Sequence, residues 1–128
     1  FILMARKILL IEDNQYIKEL YAEVLQNAGF EVEIAEDGVS GVEKVKKGGY
    51  DLVLLDMVMP KAGGLEVIKA ISQNPPTVKN GPIILMTNLT KDATVQEALN
   101  KGASSYIVKS DITPGQLIEN VNKFLKED

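Results

Sequence analysis

Five short apolar segments alternate with five helical patterns along the chain, and this alternation restricts the possible fold more than any other feature. The stretches that follow the segments place apolar residues at the spacing of amphipathic helices, and Thr113-Pro114 provides a capped start for the last one. Because each helix must pack back onto the sheet, these units predict parallel strands covered on both faces, a doubly wound α/β domain. Four of the segments are continuous apolar runs, residues 8–11, 52–55, 82–86 and 106–108, and the second, residues 31–35, alternates apolar and polar side chains as a half-exposed edge strand does.

Length and composition are those of one ordinary globular domain. We assign residues 4–128 of the 128-residue chain to it and interpret residues 1–3 as an expression remnant or an upstream start. Hydrophobic residues make up 45% and no apolar stretch approaches the roughly 18 residues of a membrane span, so a membrane class is not favoured. The lack of cysteine suits a reducing compartment and predicts a cytoplasmic protein. The net charge of −4 argues against direct nucleic-acid binding, which depends on clustered Lys and Arg.

Acidic side chains follow two strands that we expect to be neighbours. In a doubly wound sheet, ligands bind outside the carboxyl ends of the strands, where the strand order reverses. In a flavodoxin-like (βα)5 three-layer sandwich of order 2-1-3-4-5, this point lies between the first and third strands, where Glu12, Asp13 and Asp56 converge. Clustered carboxylates either raise a pKa or hold a hard divalent cation, and oxygen ligands without nearby His or Cys fit Mg²⁺.

Thr87 and Lys109 follow the fourth and fifth strands and suggest phosphoryl chemistry at the same edge. A carboxylate oxygen such as that of Asp56 is a competent nucleophile toward phosphorus once a metal neutralises the incoming charge. The phosphoryl oxygens then need donors, which Mg²⁺, the Lys109 ammonium and the Thr87 hydroxyl can provide. Taken one at a time, each residue also fits an ordinary polar turn or an exposed charge. Their coincidence with Asp56 favours a site.

These residues resemble the receiver domain of two-component response regulators, and the resemblance covers the chain from Ala5 to its end. It implies that Asp56 accepts a phosphoryl group from a sensor histidine kinase, a phosphotransfer protein or a small phosphodonor. It also implies that the protein is not an enzyme beyond its own phosphorylation and dephosphorylation. The matching motifs are Ile11-Glu12-Asp13-Asn14, Asp56 with residues 57–60 and Gly63-Gly64, Thr87, and Gly102-Ala103 followed by Tyr106 and Lys109.

The resemblance further implies the ligands of the metal. Asp13, Asp56 and the backbone carbonyl of Val58 would bind Mg²⁺, and Glu12 would act largely through metal-bound water. Such a ligand set consists of oxygen atoms alone, as Mg²⁺ prefers.

A conformational switch is the third implication of the resemblance. Lys109 would bridge to a phosphoryl oxygen, Thr87 would move toward the phosphoryl group, and Tyr106 would turn inward behind Thr87. This movement would change the face formed by the fourth helix, fifth strand and fifth helix, through which a downstream protein would bind. The protein would be a monomer or a phosphorylation-dependent dimer.

Three departures from the family pattern affect the expected behaviour. Ser110 follows Lys109 where the family usually has a cis proline, so a trans or strained loop is expected, with Lys109 held less rigidly. Asn88 replaces a very small residue, and its amide could donate to the phosphoryl group or narrow access to the acceptor. Val58 and Leu89 occupy positions that influence the hydrolytic water in relatives, and neither side chain can orient water. We therefore expect slow self-dephosphorylation.

Two other classes of function remain open on sequence grounds. One is a phosphorylation-independent interaction module with a receiver-like fold, which would not need the complete set of polar residues at the strand ends. The other is a phosphatase using Asp56 as nucleophile, which would need an acid two residues later, where Val58 stands. The chain is expected to be either a stand-alone receiver or one excised from a longer regulator.

Overall fold

The computed structural model describes residues 5–88 and 92–127 and contains one parallel sheet within them. Its strand order, β2-β1-β3-β4-β5, confirms the predicted flavodoxin-like topology. The predicted strand limits hold to within one residue: for example, Pro82 lies just outside β4 and Ser105 begins β5. The strands are β1 (Lys7–Ile11), β2 (Glu31–Ala35), β3 (Leu52–Asp56), β4 (Ile83–Thr87) and β5 (Ser105–Val108).

A helix follows each strand, as the alternation of patterns predicts. A short 3-10 turn, Lys109–Asp111, also lies between β5 and the last helix, and the sequence patterns did not predict it. None of the helices described within 5–88 and 92–127 has the length and apolarity needed to cross a lipid bilayer. The helices are α1 (Gln15–Asn27), α2 (Gly38–Lys47), α3 (Gly64–Gln73), α4 (Ala93–Asn100) and α5 (Pro114–Glu127).

The core consists of two apolar layers on opposite faces of the sheet. Successive strand residues point to opposite faces, so Leu9 and Val53 pack against α2, α3 and α4, whereas Leu10 and Leu54 pack against α1 and α5. Every side chain of β3 is buried, as expected for a central strand covered on both faces. The polar end of this strand, Asp56, is therefore held at a fixed position on the carboxyl edge.

Side-chain caps start two helices close to that edge. The Asn14 side-chain oxygen accepts from the Ile17 amide at 3.0 Å, which begins α1 directly after β1. At α5, the Thr113 hydroxyl accepts from the Gln116 amide at 3.1 Å and the Gln116 side chain accepts from the Thr113 amide at 2.9 Å. This reciprocal capping box confirms the predicted start of α5.

The loop between β3 and α3 contains a strained residue. Lys61 has a φ of 70°, the one positive value at a non-glycine position within the described residues. The next residue, Ala62, lies against α2 so closely that a Cβ at Gly38 would be 2.0 Å from the Ala62 carbonyl oxygen. The close contact fixes the course of the loop, and Lys61 takes the left-handed conformation that follows from it.

Lys61→Gly is expected to increase the free energy of unfolding by about 0.5 to 1 kcal/mol, because a left-handed conformation costs an L-residue roughly 1 to 2 kcal/mol. Part of the gain is offset by the lost ion pair with Asp37, which is 3.5 Å long and exposed on the lysine side. Urea denaturation measures the change. Lys61→Ala is the matched control, since it removes the ion pair but keeps the Cβ. An equal gain in both variants would contradict the assignment to backbone strain.

Candidate functional site

A cleft of about 380 Å³ opens at the carboxyl edge of the sheet, between the ends of β1, β3, β4 and β5. It brings together seven of the eight predicted site residues. Tyr106 is the exception, because it lies on β5 with 39% of its surface exposed and lines a neighbouring depression. The cleft is lined by Glu12, Asp13, Asn14, Asp56, Val58, Thr87, Asn88 and Lys109.

Three carboxylates form the floor and one side of the cleft. Because β1 pairs with β3, their ends meet, and carboxylate oxygens of Glu12, Asp13 and Asp56 lie within 4.8 Å of one another. Glu12 is 0% exposed and Asp56 is 4% exposed, whereas Asp13 is more accessible to solvent. The sequence prediction that these three residues converge is confirmed.

Lys109 is the one cation among the residues lining the cleft. Its Nζ donates to Glu12 Oε1 at 2.9 Å and lies 3.4 Å from Asp56 Oδ1. Its side chain is mostly buried, so this pairing takes place in a partly desolvated setting. One ammonium cannot balance three ionised carboxylates, and the cleft is left with excess negative charge.

The pKa values of the two buried carboxyl groups, Asp56 and Glu12, shift in opposite directions. Burial, followed by the hydrogen bond and repulsion from Glu12, raises the pKa of Asp56 to about 7, against the opposing effects of Lys109 and the Val58 amide. Burial also acts to raise the pKa of Glu12, but its hydrogen bonds with Asp56 and Lys109 and the attraction of that ammonium outweigh it and lower the pKa. Without a further cation, Asp56 therefore binds a proton more tightly than an ordinary aspartate does.

The donor set of the cleft fits a hard divalent cation. The three clustered side chains offer only carboxylate oxygens, the ligands that Mg²⁺ prefers, and a cation would relieve the repulsion that raises the Asp56 pKa. The Val58 amide donates to Asp56 Oδ1 at 3.3 Å and the Asn14 amide donates to Glu12 Oε2 at 3.2 Å. These two bonds orient the carboxylates. The role of the Val58 carbonyl as a metal ligand stays a prediction.

Thr87 and Lys109 reach the cleft from adjacent strands. Thr87 ends β4, is 3% exposed and pairs in register with Val108 on β5. Lys109 follows Val108 directly, so both side chains are placed at the same level of the sheet. Their predicted position beside Asp56 is confirmed, whereas their roles toward a phosphoryl group stay predictions.

Beyond the strand ends, the structure contains a contact that the sequence did not predict. The Asn88 side-chain oxygen accepts from the Ser110 amide at 2.8 Å. No cis peptide bond occurs in the described parts of the chain, so the Lys109-Ser110 bond is trans, one of the two geometries that the missing proline suggested. Leu89, the second position predicted to affect hydrolysis, lies outside the described residues. Val58 lines the cleft with 71% of its surface exposed.

Asn14, a further residue of the cleft, could have been recognised from the sequence as a helix cap. Asn14 caps α1 and also donates from its backbone to Glu12. An Asn immediately before a helical pattern is a standard cap, so the sequence did contain this information. The Asn88–Ser110 contact carries no comparable signal, because 21 residues separate its partners along the chain.

The fold and the cleft together define a flavodoxin-like receiver domain: a parallel sheet of order 2-1-3-4-5 with clustered carboxylates, a Thr and a Lys at its carboxyl edge. A family model described as the response regulator receiver domain matches residues 8–122. The chain therefore belongs to the response regulator receiver domain family.

Curated relatives and solved structures agree with this assignment. The chain is 38% identical over 103 residues to the response regulator ArlR of Staphylococcus saprophyticus, a match that covers 80% of this chain and 45% of that protein. It is 32% identical over 124 residues to the chemotaxis protein CheY of Thermotoga maritima, covering 96% of this chain and all of CheY. A CheY-like receiver domain protein from Methanospirillum hungatei superposes with a TM-score of 0.83 at 28% identity, covering 97% of this chain and 96% of that one.

Proposed function

We propose that the protein is a signalling receiver that accepts a phosphoryl group on Asp56 in a Mg²⁺-dependent reaction. The observation that carries this proposal is the position of Asp56, a buried carboxylate within 4.8 Å of two others and 3.4 Å from the Lys109 ammonium. A domain that served only as a scaffold would gain nothing from such a cluster, since a buried group of like charges destabilises the fold. The donor would be a sensor histidine kinase, a phosphotransfer protein or a small phosphodonor.

In this reaction the phosphoryl group passes directly from the donor to Asp56. A carboxylate oxygen of Asp56 attacks phosphorus and forms an O–P bond, while the P–N bond of a phosphohistidine or the P–O bond of an acyl phosphate breaks. The leaving group departs with the bonding electrons as imidazole, which takes a proton, or as a carboxylate. Asp56 must be ionised to attack, and cation binding favours this state by displacing its proton.

Each residue of the cleft has a defined part in this transfer. Asp13, Asp56 and the Val58 carbonyl would hold Mg²⁺, with Glu12 acting through water, and the bound cation would neutralise the charge of the incoming phosphoryl group. Lys109 neutralises a phosphoryl oxygen as a point charge, and Thr87 donates its hydroxyl to another. The Asn88 Oδ1 accepts from the Ser110 amide, and the Asn88 Nδ2 is the group that would donate to a phosphoryl oxygen.

The signal would leave the site through the neighbouring elements. Thr87 ends β4, which pairs with β5, and Tyr106 on β5 is partly exposed next to Asp111 and Asn120. Movement of Thr87 toward the phosphoryl group would open space behind it for Tyr106 to turn inward. The face formed by α4, β5 and α5 would then change shape, and a downstream protein would bind one of its two states better than the other.

Labelling with acetyl phosphate tests the proposed function. The parent protein is expected to gain one phosphoryl group in Mg²⁺ and none in EDTA, and peptide mapping should locate it in the segment containing β3. Intact mass spectrometry measures the gain. If the parent gains nothing in Mg²⁺ from acetyl phosphate or from a phosphorylated donor protein, the phosphorylation-independent interaction module is the better assignment.

The phosphorylated state is expected to persist for minutes or longer, because the exposed Val58 side chain at the cleft cannot hydrogen-bond an attacking water. Val58→Asn places an amide there and should shorten the half-life several-fold. Val78→Asn, at an exposed valine outside the cleft lining, is the matched control and should leave it unchanged. Loss of the label is followed by intact mass after the phosphodonor is removed. A half-life of seconds for the parent in Mg²⁺ would contradict the expectation.

A further inference from the structure

We infer that Asn88 is a positioning residue for Lys109, acting through its hydrogen bond to the Ser110 backbone amide. The contact is short, 2.8 Å between Asn88 Oδ1 and the Ser110 nitrogen. The orientation of the side-chain amide is unambiguous, since a backbone N–H can be accepted only by the oxygen. This inference rests on the proposed function, because it concerns the same cleft.

The hydrogen bond extends the β4–β5 pairing beyond the end of both strands. Thr87 and Val108 are the last residues in register, so Asn88 and Lys109 are the first residues after the ladder. At this point a side-chain oxygen, rather than a backbone carbonyl, accepts the next amide of the β5 chain. The loop after β5 is thus attached to β4 at a place where the sheet itself no longer holds it.

This attachment restrains Lys109 on both sides. Val108 precedes it within the ladder, and Ser110 follows it at the hydrogen bond to Asn88. Lys109 is also the first residue of the 3-10 turn Lys109–Asp111, and the path of this turn determines the position of the Lys109 Cα. With the backbone fixed at both neighbours, the ammonium is held 2.9 Å from Glu12 and 3.4 Å from Asp56. A proline after the lysine would restrict the backbone by its ring, whereas here the side chain of the residue that follows the adjacent strand does so.

Both Asn88 and Ser110 are exposed, so the bond adds little to global stability. Without it, water can satisfy the Ser110 amide, and the loss falls on the order of the loop rather than on the core. The inference therefore predicts a local effect on Lys109 with an unchanged unfolding midpoint. If the role of Asn88 were merely structural, its substitution would lower the unfolding midpoint and leave Lys109 unchanged.

Asn88→Ala tests the inference, with Ser110→Ala as the matched control because it keeps the backbone amide. In metal-free protein, Asn88→Ala should raise the hydrogen-exchange rate of the Ser110 amide about 3- to 10-fold, the loss expected for one net hydrogen bond. The order parameter of the Lys109 ε-methylene, from ¹³C relaxation, should fall, and the labelling rate at saturating Mg²⁺ and phosphodonor should fall as well. Ser110→Ala should leave all three unchanged.

The first two readouts need neither metal nor phosphodonor, so they decide the inference even if the parent takes no phosphoryl group and the proposed function fails. Unchanged exchange at Ser110 in Asn88→Ala would overturn the inference. Faster exchange with an unchanged Lys109 order parameter would overturn it too, because the bond would then exist without positioning the lysine.

Discussion

Asp56→Asn is expected to abolish phosphoryl labelling and, in the absence of Mg²⁺, to raise the free energy of unfolding at pH 8 by about 2 to 4 kcal/mol. The residue that we propose to carry the chemistry is thus one that the fold would be more stable without. This range corresponds to a pKa that burial and the neighbouring Glu12 raise from 3.8 to about 7. An amide removes the buried charge and its repulsion from Glu12.

The stabilisation should depend on pH in a defined direction. The pKa of Asp56 is 3.8 in the unfolded chain and is raised to about 7 in the folded one. The folded state therefore binds more protons between these two pH values. The parent therefore loses stability as the pH rises from about 4 to about 7 and no further from this group above that. At pH 4 the parent and Asp56→Asn should differ little, because a protonated carboxyl resembles an amide.

Urea denaturation from pH 4 to pH 8, with and without Mg²⁺, measures this effect. Adding Mg²⁺ should stabilise the parent and narrow its difference from Asp56→Asn, since only the folded parent offers the complete site. Asp51→Asn is the matched control: Asp51 precedes β3 at the opposite edge and accepts from the Lys7 amide at 2.7 Å, a bond that an amide oxygen can retain. If Asp56→Asn is less stable than the parent at pH 8, the buried Asp56 carboxylate does not destabilise the fold as we describe.

Lys109→Met is expected to reduce the free energy of unfolding at pH 8 by about 2 to 3 kcal/mol and to slow phosphoryl labelling strongly. Methionine keeps much of the side-chain volume but leaves the fully buried Glu12 without its 2.9 Å partner and Asp56 without its nearest cation. The cost lies below the range for an enclosed ion pair because water enters the open cleft. The Lys109 pKa is raised because its bonds and attraction to Glu12 and Asp56 outweigh burial, so the ammonium is fully charged at pH 8.

The pH dependence distinguishes this effect from lost packing. As the pH falls, the carboxyl groups of the cleft take up protons and need the ammonium less, so the destabilisation should shrink toward pH 4. Lys123→Met, at an exposed position of α5, is the matched control and should change neither stability nor labelling. An equal loss at pH 4 and pH 8 would indicate that the methionine disturbs packing rather than charge balance.

Sequence reasoning predicted the fold well because its signals were local. The apolar run of β3 could only be a strand buried on both faces, and the Thr113-Pro114 pair marked the start of α5 within one residue. Right-handed β–α–β connections only limit the possible strand orders, and the flavodoxin-like order 2-1-3-4-5 assumed for this sequence is the one observed. The short turn after Lys109 was missed because three residues carry no periodicity.

Within the site, identities were predictable but their energetic consequences were not. The convergence of Glu12, Asp13 and Asp56 followed from the strand ends and the assumed strand order, and it was confirmed by their mutual distance. The raised pKa of Asp56 and the lowered pKa of Glu12 depend on burial, on the hydrogen bond between the two carboxyl groups, and on the 2.9 Å contact of Glu12 with the Lys109 ammonium. No spacing in the chain contains that difference.

The sequence by itself determined the strands and helices, and therefore which polar residues lie at the carboxyl edge of the sheet. These depend on short-range hydrophobic patterns and on chain chirality, which each segment carries independently of the others. Only the tertiary structure decided which carboxylate has the raised pKa, and that the Asn88 side chain accepts from the Ser110 amide. Both depend on distances between side chains from different strands, set within tenths of an ångström by how the two core layers pack.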